Sequence, residues 1–347
     1  MTENDDLRPA SGDTATSARS GDQDSPVIVI AEGALRAPDE VARHFQDQAT
    51  IRRADISTPA GIRAATAGAL GLVVALQPLT AELIEAVDDG LRVIGRMGIG
   101  TDTVDLDAAA ACGITVFNEP TFGVAEVASH AVAMLLALNR KLIPADRYVR
   151  AGWSAGATLS LAPMKPLDEV TAGIIGCGRI GRAVAALLAP LVAHVLVYDP
   201  LLDGPGPAGT VRLDQLDDLL ARSDALTVHA PLTAQTRGML GRRELSLLPR
   251  GAVVINVSRG GQVDERALAE LLASGQLSGV GLDTFETEPL PPDSPLLGVS
   301  GTVLSPHCAG YSDRSSWRLD AWTVSDAIAW LRTGDLQHGS VVVAGTR

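Results

Sequence analysis

The residues best suited to chemistry lie in the second half of this 347-residue chain. The run Gly173-Ile-Ile-Gly176-Cys-Gly178-Arg179-Ile180-Gly181 sets three glycines at G-x-G-x-x-G spacing behind an apolar stretch. In a strand that turns into a helix, Gly176 permits the tight turn. Gly178 lets backbone approach a pyrophosphate, and Gly181 lets the helix pack on the sheet. The unpaired N–H groups at the helix start would face the phosphates. The next apolar run ends in Tyr-Asp199. A carboxylate there can accept from the adenosine ribose hydroxyls and would repel a 2′-phosphate. No Arg or Lys follows within 200–206, so NAD(H) is expected rather than NADP(H).

Three later segments carry acid–base and anion-binding groups. An apolar run ends in Val257-Ser258-Arg259-Gly260-Gly261. A guanidinium at a sheet edge is costly to bury without an anion, and its planar fork fits a substrate carboxylate. The segment Asp283-Thr-Phe-Glu286-Thr-Glu288-Pro is rich in acids, and Ser-Pro306-His307 follows a further apolar run. A carboxylate on that connection would orient the imidazole and favour its protonated form. Such a His can give a proton to a carbonyl oxygen while a hydride reaches the carbon.

These groups need strand ends to hold them, and the pattern supplies them. Apolar runs at 27–30, 72–75, 92–95 and 114–117 read as buried parallel strands, with helices at 38–48, 80–87 and 106–111. A long helix is expected at 124–142, with Val127, Ala131, Met134, Leu135 and Leu138 on one face. His130 within it reads as a core or interface residue. An irregular connection is expected over 151–166. A second alternation places strands at 173–175, 194–198, 225–229, 252–256, 279–282 and 302–305. Helices lie between them at 180–188, 214–220, 243–248 and 265–273. A last helix at 315–332 carries Trp317, Trp322 and Trp330 as packing anchors. The whole reads as α/β, with doubly wound parallel sheets.

Composition excludes other classes. Net charge is −13 with no basic run, which argues against nucleic acid. Aromatics are only 3%, too few for ring-stacking platforms. Cys112, Cys177 and Cys308 form no metal-ligand spacing, so no metal is expected. No apolar stretch approaches the ~20 residues of a membrane span, and no secretory signal is evident. A soluble cytoplasmic protein is expected. Residues 1–25 are acidic and nearly devoid of large apolar side chains, and read as a disordered tail.

With these segments in this order, the chain resembles the D-isomer-specific 2-hydroxyacid dehydrogenases. The resemblance runs from about Val27 to Arg332. It rests on Arg96-Met-Gly98-Ile99-Gly100-Thr-Asp102, the Gly176 turn, His229-Ala230-Pro231-Leu-Thr, the Arg259 segment, Asp283-Thr-Phe with Glu288-Pro, and Pro306-His307. It implies a flavodoxin-like substrate domain at 26–120 and 308–335, split by a Rossmann NAD-binding domain at 121–307. It places the catalytic roles on Arg259, Glu288 and His307. Cofactor contacts fall on Gly176, Gly178, Arg179, Ile180, Gly181, Asp199, His229, Ala230, Pro231, Val257, Ser258 and Asp283. Substrate contacts fall on Arg96, Gly98, Ile99 and Gly100. A small anionic 2-hydroxy or 2-keto acid and a homodimer formed through the 124–142 helix are implied partners. The stretch after His307 is similar to the C-terminal-binding-protein branch, so an NAD(H)-sensing regulator is one alternative. A phosphate- or phosphonate-bearing keto acid is another.

Overall fold

The computed structural model describes residues 25–153, 161 and 163–347. The tail expected at 1–25 falls outside the described residues save for its last one, as do residues 154–160 and 162 of the irregular connection. The chain divides into two compact units. One runs up to Phe122 and resumes as Ser312–Arg347; the other is Gly123–Tyr311.

In chain order the first unit supplies β1 (Val27–Ala31), α1 (Pro38–His44), β2 (Thr50–Ala54), α2 (Pro59–Thr66), β3 (Gly71–Val74), α3 (Ala81–Glu85), β4 (Val93–Arg96), α4 (Leu106–Ala111) and β5 (Thr115–Asn118). The second unit supplies α5 (Val124–Asn139), α6 (Leu142–Arg150), β6 (Thr171–Ile175), α7 (Arg179–Leu188), β7 (His194–Tyr198), β8 (Thr210–Arg212), α8 (Leu216–Arg222), β9 (Ala225–Val228), α9 (Arg242–Leu245), β10 (Ala252–Asn256), α10 (Glu265–Ala273), β11 (Leu277–Leu282) and β12 (Thr302–Leu304). The chain then returns to the first unit with α11 (Asp313–Thr333) and β13 (Ser340–Val343).

The first sheet has the order β13-β5-β4-β3-β1-β2 among the described residues. Five strands are parallel in the flavodoxin-like 2-1-3-4-5 arrangement, and β13 joins β5 antiparallel. That last strand lies beyond the boundary expected at 335. Its core packs β-strand residues such as Ile30, Leu72, Ile94 and Phe117 under α11, which contributes Trp317, Val324 and Ile328. The helix approaches β4 closely: a Cβ at Gly95 would lie 2.9 Å from Thr323 Cγ2.

The second sheet is parallel throughout, ordered β12-β11-β10-β9-β6-β7-β8. Its order reverses between β6 and β9, the position where doubly wound sheets open a crevice at their carboxyl ends. The apolar face of α5 is spent inside this unit. Val127, Ala131, Met134, Leu135 and Leu138 are all buried, and glycines in β11 make room for them. The helix ends at Asn139 rather than running through 142. Lys141 takes a left-handed φ of 53°, and α6 starts anew. On and just after α6, Leu142, Ile143, Val149 and Trp153 are exposed. The five residues expected on one face of α5 thus belong to the core of this unit. Among the described residues no helix is long and apolar enough to cross a membrane.

One buried acid in the first unit has a consequence for stability. Glu119 follows β5 with no exposed surface, and neither carboxylate oxygen has a hydrogen-bond partner. Burial, with the nearby Asp326 charge adding to it, pushes its pKa up to about 9. An unfolded chain loses this proton near 4.5 while the folded chain keeps it, so stability falls as pH rises between those values. Glu119→Gln should raise Tm by about 5 °C at pH 8, the gain vanishing towards pH 4.5. Thermal melts across that range check this; a gain that does not change with pH would contradict it.

Candidate active site

Every expected site residue of the second unit sits at the carboxyl edge of its sheet. The glycine turn follows β6. Gly176 has φ 89°, and a Cβ there would lie 2.6 Å from the His229 carbonyl carbon, so only glycine fits. A Cβ at Gly181 would meet the Gly176 carbonyl oxygen, which explains the close seating of α7 on β6. Gly178 is different. It is the N-cap of α7, and a Cβ there would meet nothing within 4 Å. The protein's own packing does not demand glycine at that point, but a close-lying pyrophosphate would. No protein acceptor pairs with the N–H groups of Gly178, Arg179 and Ile180 among the described residues. This cradle fits a dinucleotide.

Asp199, just past β7, closes the turn. Its Oδ2 accepts from Cys177 N–H at 2.8 Å and its Oδ1 from Leu201 N–H at 2.9 Å. Across the switch point, His229 points inward. Burial depresses its imidazole to about 3, so the ring is neutral, and Nε2 lies 2.9 Å from Thr227 Oγ1. Its Nδ1 is buried without a hydrogen-bond partner. Gln262 Nε2 holds the Ala230 and Pro231 carbonyls at 2.9 and 3.1 Å.

Arg259 comes from a turn tied by Asn256. The Asn256 amide donates to the Arg259 carbonyl at 2.7 Å and accepts from Ser258 N–H at 3.0 Å. Ser258 Oγ donates to the Val228 carbonyl, and Val257 is buried beneath. The guanidinium donates to the Ser258 carbonyl at 2.8 Å. A Cβ at Gly260 would collide with the Phe285–Glu286 peptide, so this glycine lets the Arg259 turn abut the segment leading to Glu288.

Glu288 and His307 are brought together: Nδ1 lies 2.7 Å from Glu288 Oε2. Glu288 Oε1 accepts from Phe285 N–H at 2.9 Å. Burial works to raise Glu288, but these hydrogen bonds and the charges of His307 and Arg259 hold it below the ordinary value. It is therefore an ionised acceptor, and Nδ1 must be the donor. Nε2 is left to exchange a proton with another group. His307 has φ 51°, a left-handed conformation rare for a bulky residue.

Asp283 is the hub of this edge, with 1% exposure. Its Oδ1 accepts from Ser305 Oγ at 2.5 Å and Cys308 N–H at 2.9 Å; its Oδ2 accepts from Ala309 N–H at 2.8 Å. Its carbonyl accepts His307 N–H at 2.8 Å. The expected cofactor contact thus meets a carboxylate already engaged in holding the His307 loop. Sequence reasoning missed Ser305 and placed His130 in the core or an interface. The imidazole of His130 instead reaches this edge, its Nε2 2.9 Å from Ser305 Oγ. His130, Asp283 and Cys308 bring ligand-type atoms within 4.8 Å of one another.

The remaining expected residues belong to the first unit. Arg96 ends β4 with 3% exposure, and its guanidinium donates to the Met97 carbonyl. A Cβ at Gly98 would strike its guanidinium. The loop is fixed by Glu119 N–H on the Gly98 carbonyl and Asn118 Nδ2 on the Ile99 carbonyl. The N–H groups of Gly98, Ile99 and Gly100 have no acceptor among the described residues.

Comparison with known proteins places this architecture. The profile of the D-isomer specific 2-hydroxyacid dehydrogenase NAD binding domain matches residues 132–309. A D-3-phosphoglycerate dehydrogenase of Mycobacterium leprae is 35% identical over 93% of this chain, which spans 60% of that protein's length. A glyoxylate reductase of Korarchaeum cryptofilum is 37% identical, over 74% of this chain and 77% of its own. The chain's structure is similar to that of an NADPH-dependent glyoxylate/hydroxypyruvate reductase from Sinorhizobium meliloti in complex with NADP and malonate. Their TM-score is 0.83 at 30% identity, covering 93% of this chain and 99% of that one. With the profile spanning half the chain and these relatives extending over most of it, the chain belongs to the D-isomer specific 2-hydroxyacid dehydrogenase family.

Proposed function

We propose that the chain is an NAD(H)-dependent oxidoreductase acting at C2 of a 2-hydroxy or 2-keto acid. The observation that carries this reading is the 2.7 Å Glu288–His307 pair, set on the same sheet edge as Arg259 and the glycine turn. The dinucleotide would rest on the N–H groups of Gly178, Arg179 and Ile180, on Asp199, and on the 230–231 and 257–258 segments. When bound, its nicotinamide supplies or accepts the hydride. The chain's own groups do the remainder. Arg259 clamps the carboxylate and carbonyl oxygens of the acid. His307 Nε2 gives a proton to the carbonyl oxygen on reduction and takes it back on oxidation. Glu288 fixes the ring through Nδ1.

His307→Ala should lower turnover by about 10²-fold or more with NADH binding little changed. Steady-state kinetics and NADH fluorescence titration check this, and retained turnover would refute the role. Following NADH absorbance over a panel of 2-keto acids identifies the substrate class; activity with none of them would sink the reading. In the first unit, the N–H groups of the 98–100 loop and the buried Arg96 suit an anionic group. They favour, as a second reading, a keto acid that also bears a phosphate or phosphonate.

The preference for NAD(H) rests on the Asp199 carboxylate and the absence of Arg or Lys at 200–206. Relatives of this fold include one solved with NADP, so the preference is tested directly. KM should be lower for NADH than for NADPH, and the reverse order would overturn it. The two turn glycines should also separate. Gly176→Ala should cost about 2 kcal/mol or more of stability, through strain and backbone collision. Gly178→Ala should leave Tm nearly unchanged and weaken NADH binding about tenfold. Melting curves with NADH titrations distinguish them. A homodimer is part of this reading, with the exposed apolar residues of α6 as its surface. Size-exclusion chromatography showing a monomer would remove it.

A further inference from the structure

His130 lies on α5, outside every expected site residue, yet it ends a chain of hydrogen bonds that leads to His307. The direction of that chain can be worked out. The Asp283 carboxylate only accepts, so the single hydroxyl proton of Ser305 goes to Asp283 Oδ1 at 2.5 Å. The Ser305 oxygen must then receive the proton of His130 Nε2, 2.9 Å away. The direct His130–Asp283 separation is 3.9 Å, so the hydroxyl bridges them. The chain therefore runs from His130 to Ser305 to Asp283.

Asp283 in turn takes three successive backbone donors of the loop after β12: His307 N–H on its carbonyl, Cys308 N–H on Oδ1 and Ala309 N–H on Oδ2. The residue so held is His307, whose left-handed backbone must be maintained by its surroundings. The far end of the chain is equally fixed. α5 seats Met134 and Leu138 against Gly281 and Gly279 of β11, the strand that delivers Asp283. The His130, Asp283 and Cys308 cluster is explained by the same bonds. The Asp283 oxygens are turned to N–H and O–H donors rather than towards a cation.

We propose that His130 and Ser305 are positioning residues for His307, acting through Asp283 to hold the 305–309 loop. The hydroxyl of Ser305 completes the set of donors on Oδ1, and the imidazole of His130 fixes the hydroxyl's orientation. This rests on the assignment of His307 as the proton-transferring group, so the test includes a measurement that does not depend on turnover.

Ser305→Ala should speed amide hydrogen exchange at 307–309 about tenfold and lower kcat by a similar factor, with KM for NADH unchanged. Ser305→Thr, which restores the hydroxyl, should recover both. His130→Phe should reproduce the Ser305→Ala effect on exchange. The double variant should be no worse than either single change, because both act along one path. Unchanged exchange at 307–309 in Ser305→Ala and His130→Phe would overturn the proposal. So would failure of threonine to rescue, or additive effects in the double variant. If the unaltered protein turns over no 2-keto acid, the functional reading fails, while the exchange measurements still decide this one.

Discussion

The second unit's site depends on one buried carboxylate finding enough donors. Taking a carboxylate out of water costs several kcal/mol. Asp283 offsets this with a hydroxyl and two backbone N–H groups on its two oxygens. Hydrogen bonds to a charged group contribute about 1.5–3 kcal/mol each, so three of them are of the right size. The donors come from the loop after β12, so satisfying the charge also fixes the loop. That fixes the Cα of His307 and the direction in which its ring can leave the backbone. Glu288 then needs only to meet a ring already aimed at it.

The parallel sheet makes this economical in chain length. Strands β6, β9, β10, β11 and β12 all end on one edge, so the five segments that follow them start side by side. Each loop is shaped by a small residue or a tie: Gly176 against His229, Gly260 against Phe285, Asn256 across to Arg259. The net charge of −13 gives anions no general attraction. Attraction for an anion therefore has to be local, and backbone N–H groups without a protein acceptor stand at the start of α7 in the second unit and at 98–100 in the first.

What could be read from the sequence was what is local in the chain. The Gly176–Gly181 spacing, the Arg259-Gly-Gly turn and the buried strands leave their mark in consecutive residues. The order of loops was enough to pair a carboxylate with His307. Two of the edge strands left no such mark: β2 is Thr-Ile-Arg-Arg-Ala with two arginines and β8 is three residues, as edge strands that face water need no apolar pattern. β13 is Ser-Val-Val-Val and lies past the last helix, outside the alternation of strands and helices. His130 was illegible for a different reason. Its partner Ser305 is 175 residues away, and nothing in the helical period of α5 says that one of its polar positions meets another strand's end. Arg96 came from the resemblance alone, and its burial comes from its place at the end of β4, which residue type does not predict.

The buried acids of this chain show how strongly donors decide the fate of a carboxyl group. Asp326 on α11 is fully buried and receives the N–H groups of Gln337, His338 and Gly339, which anchors the turn into β13. Asp283 does the same for the loop of His307. Glu119 is as deeply buried, has no donor, and faces the Asp326 charge, so its proton stays on to about pH 9. Glu288 lies between these cases, with its side chain 31% exposed and both oxygens bonded. Only that intermediate setting gives a carboxylate that is charged yet still able to respond to a neighbouring imidazole. Deeper burial would leave it neutral or locked, and full exposure would let water compete for the ring. The acid beside His307 is thus distinguished from the other buried acids by its surroundings rather than by its residue type.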